Sequence, residues 1–278
     1  MHIFQNEFLP SAALRPFVDC YWFQSFTGEL CEESPVQRCV PLGMTELIVH
    51  VKGNTCYVFV DNEWKALPDA YMVGVYKDAV MWKTQGTSYL FGIRLKPESL
   101  IRLFKVPAAG VFNNYTDLDT FFGKKTDLAD RMMGITEVGL LIKIAEDFLY
   151  KQLCHLNSER NYVYEATNLI RKSKGDIRLE ELSGQLYVSE RQLQRGFKDC
   201  LGASPKTYIR IIRFRNAYEY VQQSGNDLSW ANVSYNFGYA DQAHFIKDFK
   251  QFTGAVPTAI FQKAEEFPQM SRELAILN

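Results

Sequence analysis

Arg191, Gln194 and Arg195 lie on one face of a short polar stretch, and Gln242, Ala243, His244 and Lys247 cluster on another. These are side chains that read nucleic-acid bases. Arginine reaches guanine edges bidentately, glutamine reaches adenine, and an alanine methyl packs on a thymine methyl. His244 and Gln242 suit a base edge or a phosphate equally. Lys198 and Lys250 hold matching places in the two stretches, and with Ser189 and Arg210 they suit phosphate oxygens, which fix register without reading sequence. Three side chains suited to base edges against a more ambiguous set make the first stretch the expected stronger reader. Asp248 is expected close to the nucleic-acid backbone, where it would limit the second.

The elements that must position these groups are two copies of one pattern. The first runs LEELSGQLYVSERQLQRGFKDCLGASP from Leu179 to Pro205, the second WANVSYNFGYADQAHFIKDFKQFTGAVP from Trp230 to Pro257. Leu193 and Phe245, Phe197 and Phe249, Lys198 and Lys250, Gly202 and Gly254, and Pro205 and Pro257 are each 52 apart. One extra residue, Gly238 or Ala240, sits in the second turn. Each copy reads as a short helix, a tight turn, a second amphipathic helix and a Gly-x-x-Pro stop. That is a helix-turn-helix, whose second helix enters a major groove. Ser189 with Gln192 fits a capping box, and Asp241 fits an N-cap. Between the copies PKTYIRIIRFRNAYEYVQQ, from Pro205 to Gln223, reads as a rod of roughly 28 Å at about 1.5 Å per residue. Major-groove faces recur about every 34 Å, so the rod suits two readers one turn apart.

The charge pattern agrees. Net charge is −1, yet residues 171–215 hold eleven bases against five acids. A basic segment in a near-neutral chain is a candidate phosphate footprint.

The first half differs. FVDCYWFQSF, TELIVHVK, TCYVFV, VMWKTQ and SYLFGIRL read as strands, rich in aromatic and β-branched residues and separated by turn residues. A sandwich or small barrel follows. PESLIRLF then reads as a helix, and Thr136–Leu156 as a longer one. Its stripe of Val138, Leu141, Ala145, Phe148 and Leu149 either packs on its own domain or joins two protomers. The expected fold is therefore α+β: a strand-rich sandwich or barrel with trailing helices, then an all-α domain. The divisions expected are 1–156 for a sensing or dimerising domain, 157–163 for a linker, 164–265 for the DNA-binding domain and 266–278 for a tail. Arg38, Glu46, Trp82 and Arg94 sit in or beside strands, where a polar group among apolar ones orients a small ligand.

No catalytic signature appears: the four histidines are scattered, and neither a P-loop nor Gly-x-Ser-x-Gly occurs. Neither a metal nor another cofactor is expected. No apolar run reaches the roughly 18 residues of a membrane span, and MHIFQNEFLPS lacks the marks of a secretory signal. The six cysteines show no Cys-x-x-Cys spacing, so reduced thiols and a cytoplasmic location are expected.

Residues from about Tyr162 to Phe261 resemble the DNA-binding domain of the AraC family of bacterial transcription regulators. The resemblance rests on SERQLQRGFK and GASP, on IRFRNA in the rod, and on FGYADQAHFIKDFKQFTGAVP. Ser234 departs from the family's usual alanine, and Trp230 is unusually bulky. By position the resemblance assigns base contacts to Arg191, Gln194, Arg195, Gln242, Ala243 and Lys247. It implies a regulator of promoter DNA that works as a homodimer with RNA polymerase and answers to a small-molecule effector. Two alternatives stay open. One is a DNA-repair or other enzyme with an alkyl-accepting cysteine, for which Cys39 beside Arg38 is the nearest candidate. The other is a constitutive dimeric DNA-binding protein without a ligand.

Overall fold

The computed structural model describes residues 1–123, 125–153, 162–224 and 228–267, the side chain at position 265 excepted. Cys154, residues 157–161 of the expected linker and 268–278 of the expected tail lie outside the described residues.

Among the described residues the N-terminal half has ten strands: β1 His2–Phe8, β2 Val18–Thr27, β3 Gln37–Cys39, β4 Thr45–Gly53, β5 Cys56–Val60, β6 Glu63–Ala66, β7 Ala70–Val73, β8 Val80–Thr84, β9 Ser88–Leu95 and β10 Tyr115–Asp117. They form a six-stranded sheet of order β1-β2-β9-β4-β7-β10 and a four-stranded sheet of order β3-β8-β5-β6. Neighbours pair antiparallel throughout. The five long apolar stretches are strands as expected; β1, β3, β6, β7 and β10 are additional.

The large sheet is buried on both faces. Tyr21, Phe23, Leu47, Val49, Phe91 and Ile93 point to one side, where they meet Leu118, Phe121, Leu128, Leu141 and Phe148. Those partners come from α1 (Leu118–Phe122), α2 (Leu128–Met132) and α3 (Val138–Leu153). Trp22, Phe26, Ile48, Tyr71 and Leu90 alternate to the other side and pack with Val58 and Trp82 of the small sheet. Two covered faces explain why these strands read as nearly unbroken apolar runs rather than as alternations. Gly92 is required by this packing: a Cβ there would stand 2.0 Å from the Trp22 indole. The stretch after Pro97 forms only one π-type turn, Leu100–Phe104.

The stripe of α3 has a single answer. Leu141, Ala145, Phe148 and Leu149 are buried in their own domain's core, which leaves Leu140 and Tyr150 on the exposed face. The stripe itself is therefore no protomer interface.

His50 on β4 is 5% exposed, neither ring nitrogen has a partner, and it meets Tyr71 edge-on at 5.6 Å. Burial lowers its pKa to about 4, with Asp69 opposing. The depressed value means the unfolded chain binds the proton first, so stability falls as pH drops from about 6.5 toward 4. Between pH 8 and pH 5 the wild type should lose about 2 kcal/mol more than His50→Phe in urea unfolding. Equal losses in the two proteins would show that His50 is solvated in solution.

Among the described residues the C-terminal half is helical, with no strand: α4 Tyr162–Lys172, α5 Leu179–Gln185, α6 Glu190–Leu201, α7 Pro205–Ser224, α8 Trp230–Asn236, α9 Gln242–Thr253 and α10 Ala259–Gln262. Helix α4 thus starts two residues inside the expected linker. One core gathers Ile170, Leu182, Leu193, Phe197, Tyr208 and Ile212. A second gathers Phe214, Tyr218, Val233, Phe245, Phe249 and Phe252. Helix α7 supplies both, so it is apolar on two sides rather than on the one inward face its sequence suggested.

The two halves are docked. Arg215 on α7 bonds Asp19 at 3.2 Å as well as its own Glu219 at 2.8 Å. Arg171 on α4 pairs with Glu98, and Arg102 stacks between Phe17 and Tyr164 at 4.7 and 4.4 Å. Arg38 on β3 donates to the Thr253 carbonyl at 3.1 Å, the last of α9, and to Glu266 at 3.1 Å. Val40 and Val75 enter the second helical core. Glu266 and Phe267, expected in the tail, are part of this contact, with Phe267 buried under the Arg38 guanidinium.

Candidate nucleic-acid interface and ligand cavity

Helices α5 and α6 form the first helix-turn-helix unit, α8 and α9 the second. In each, the turn is closed the same way. The Val188 amide donates to Ser183 and the Tyr239 amide to Ser234, both at about 3 Å. This aligns Tyr187 with Gly238, 51 apart, while α6 and α9 align at 52, so the extra residue is Ala240. Tyr187 and Gly238 both take the left-handed conformation, with φ of +52° and +67°. Glycine adopts it freely, whereas Tyr187 is strained and 96% exposed.

The caps form as expected. The Ser189 hydroxyl accepts from the Gln192 amide and the Gln192 side chain accepts from the Ser189 amide, completing a capping box. Asp241 accepts from the His244 amide at 2.7 Å. Leu193, Phe197, Phe245 and Phe249 are fully buried. That burial holds the opposite face of each helix outward: Arg191, Gln194 and Arg195 on α6, Gln242, Ala243 and Lys247 on α9 are all exposed. His244 differs: it is half-buried, its ring edge-on to Tyr239 at 5.2 Å and 4.0 Å from Asp248.

Asp248 corrects an expectation. It does not stand beside the nucleic-acid backbone. It is 1% exposed and is held by Arg210 at 2.7 Å. Aspartate at an inward helix position needs such a partner, because a lone buried carboxylate is costly. Arg210, expected on phosphate, is that partner and also bonds Gln251 at 2.9 Å. Lys198 is likewise placed at the carboxyl end of α6, donating to the Gly202 carbonyl at 3.2 Å and lying over Phe112 of the N-terminal half. Its counterpart Lys250 is exposed on α9.

The basic segment is therefore only in part a surface. Arg171 and Arg215 pair with N-terminal carboxylates, Arg210 with Asp248, and Arg213 with the Gly175 carbonyl at 2.9 Å. Ser234 back-bonds to the Trp230 carbonyl at 2.7 Å, which satisfies its hydroxyl inside α8. Trp230 stacks on Phe245 at 6.0 Å, so its bulk is absorbed by the second core.

The four residues expected to orient a ligand meet at one place. Arg38, Glu46, Trp82 and Arg94 all line a cavity of about 110 Å³ between the two sheets. Arg94 is fully enclosed there, bonding Glu46 at 2.7 Å and Glu7 at 2.6 Å. Trp22, Tyr71, Tyr76 and Tyr115, which the sequence reading did not select, line it too. The signal for them was present: polar Gln24 and Arg94 interrupt otherwise apolar strands, marking the face that needs partners.

Cys39 also lines the cavity, but Arg38 does not activate it. Arg38 points its guanidinium at Glu266 and Thr253. Burial, with Glu46 nearby, pushes the Cys39 thiol up to about 12, the opposite of a reactive thiolate. Among the described residues no group of three or more His, Cys, Asp or Glu is placed to hold a metal ion, and no helix is long and apolar enough to cross a membrane.

Comparison with known proteins agrees with the helical half. A family model described as a helix-turn-helix domain matches residues 182–263, and one described as a domain of unknown function, DUF6597, matches 6–117. The Msm operon regulatory protein of Streptococcus mutans is 28% identical over 121 residues, 43% of this chain and 43% of that protein. The HTH-type transcriptional regulator GbdR of Pseudomonas aeruginosa is 32% identical over 81 residues, 29% of this chain and 22% of its own length. The match thus spans less than half of either relative. The structure of ToxT from Vibrio cholerae shares the fold, with a TM-score of 0.50 at 10% identity over 87% of this chain and 98% of that one. Two capped helix-turn-helix units on one shared helix, matched by these relatives, identify the C-terminal part of this chain as a member of the AraC family of helix-turn-helix DNA-binding domains.

Proposed function

We propose that this protein is a sequence-specific DNA-binding transcription regulator that responds to a small-molecule effector through its N-terminal half. The observation that carries the reading is the pair of equivalent helices, α6 and α9, each capped, each anchored by two buried side chains and each presenting Arg, Gln, Ala or Lys outward. Helix α7 has 20 residues, which at about 1.5 Å each spans roughly 30 Å, close to one turn of B-DNA at about 34 Å. Selection from a random duplex pool should enrich a bipartite site with two elements about one helical turn apart. Recovery of no common sequence would overturn the reading.

The residues we assign to bases are Arg191, Gln194 and Arg195, then Gln242, Ala243 and Lys247, with His244 supporting the second set. Ser189 and Lys250 are assigned to phosphates, whereas Lys198 and Arg210 must first leave their intramolecular partners. Lys250→Ala should therefore lower the salt dependence of binding by about one ion, and Lys198→Ala should change it less. A slope unchanged by Lys250→Ala would remove that residue from the interface.

The effector part of the reading rests on the cavity, whose wall is shared with the interdomain contact: Arg38 lines it and also holds the last carbonyl of α9. A ligand that moves β3 acts directly on the second reader. A second copy of the chain, promoter-bound RNA polymerase and a cytoplasmic location complete the proposal. With the α3 stripe buried, Leu140 and Tyr150 are the exposed apolar surface that helix offers to a second copy.

A further inference from the structure

The charge around the cavity is unbalanced. Arg94, which lines the cavity, serves two carboxylates, Glu7 and Glu46. One guanidinium thus stands against two carboxylates, with Glu7 5% and Arg94 5% exposed. The remaining cation at the cavity, Arg38, is neutralised by Glu266. An anionic ligand would find no free guanidinium to receive it and would face Glu46. A cationic one would relieve the excess.

The walls point the same way. Trp22, Trp82, Tyr71, Tyr76 and Tyr115 line the cavity together with Glu46. Aromatic faces carry negative quadrupole potential, and several rings around one space with a carboxylate beside them form a site for an alkylated ammonium. One further group is unsatisfied. The Trp22 indole N–H is buried without a partner, while Trp22 is 6% exposed. It asks for an acceptor oxygen.

Resting on the effector reading above, we infer that the cavity binds a compact organic cation, an alkylated ammonium that also carries an oxygen acceptor. The rings hold the cationic centre, Glu46 supplies the counter-charge and Trp22 meets the oxygen. Because β3 forms part of the wall, occupancy of the cavity bears on the Arg38 contact with α9.

The test uses the full chain and three probes of one shape. Choline is the cation, 3,3-dimethylbutan-1-ol its neutral counterpart and 3,3-dimethylbutanoate an anion. In calorimetric titration choline should bind about tenfold or more tighter than the neutral alcohol, the margin expected of a desolvated cation among rings, and the anion weakest. Trp82→Leu and, independently, Tyr115→Leu should erase most of that margin while binding of the alcohol changes little; far-UV circular dichroism identifies which variant keeps the fold. Binding of the alcohol or the anion at least as tight as that of choline would overturn the cation class and leave the effector reading standing. If all three fail to bind, the cation class is again overturned. A thermal-shift screen of mixed metabolites then separates the two readings, since a hit abolished by Trp82→Leu preserves an effector site of another class, and an empty screen removes both.

Discussion

Arg171→Ala should destabilise the protein by about 3–5 kcal/mol, the usual loss when one partner of a buried ion pair is removed. Glu98 is 2% exposed, and Arg171 is its ionic partner across the two halves. The same guanidinium bonds the Tyr208 hydroxyl at 2.9 Å and Asn168 at 2.7 Å. Removing it leaves a buried carboxylate and a buried phenol without that partner. Arg171→Met combined with Glu98→Leu should recover most of the loss, because the charge goes together with its partner and apolar volume replaces both. Urea unfolding measures each step. A loss under about 1 kcal/mol for Arg171→Ala would match a solvated surface pair and would show that the halves separate in solution. The result bears on the proposed effector response, which requires the contact between the two halves to hold.

The second large effect concerns DNA. Arg195 projects from α6 with its side chain 85% exposed and pairs with Asp199 at 3.6 Å, itself exposed. Nothing in the fold depends on it. Arg195→Ala should leave unfolding unchanged and weaken cognate binding by about 1–3 kcal/mol, relaxing preference at one base. With Arg191→Ala added, the loss should rise to roughly twice that if the contacts act separately. Fluorescence anisotropy with cognate and scrambled duplexes decides it. An equal loss on both duplexes would reassign Arg195 to phosphate and leave specificity to Gln194 and the second unit.

Much of the candidate interface was legible in the residues because its geometry is local. A capping serine or aspartate, apolar positions four apart and a glycine after the last turn define each recognition helix within about a dozen residues. Such signals do not depend on what the chain does elsewhere. The long strands β2, β4 and β9 were legible for the same reason, their apolar runs being strong enough to declare burial on both faces.

What only the tertiary structure decided was which charges are free and which faces are covered. Arg38 and Glu266 are 228 residues apart, Arg171 and Glu98 73, Arg210 and Asp248 38. No spacing rule connects them, and a count of bases over one segment treats all of them as surface. The stripe of α3 carries the same residues whether it packs on its own sheet or on a partner, and only the position of that sheet chose. The short strands β3 and β10 have no hydrophobic period to reveal them, because pairing with neighbours far along the chain makes them strands. The sequence by itself therefore determined the two helix-turn-helix units and the sheet, whose instructions lie within one helix or one strand. The fold determined the cavity, the docking of the two halves and the charge left exposed, because each depends on residues that meet only when distant segments pack.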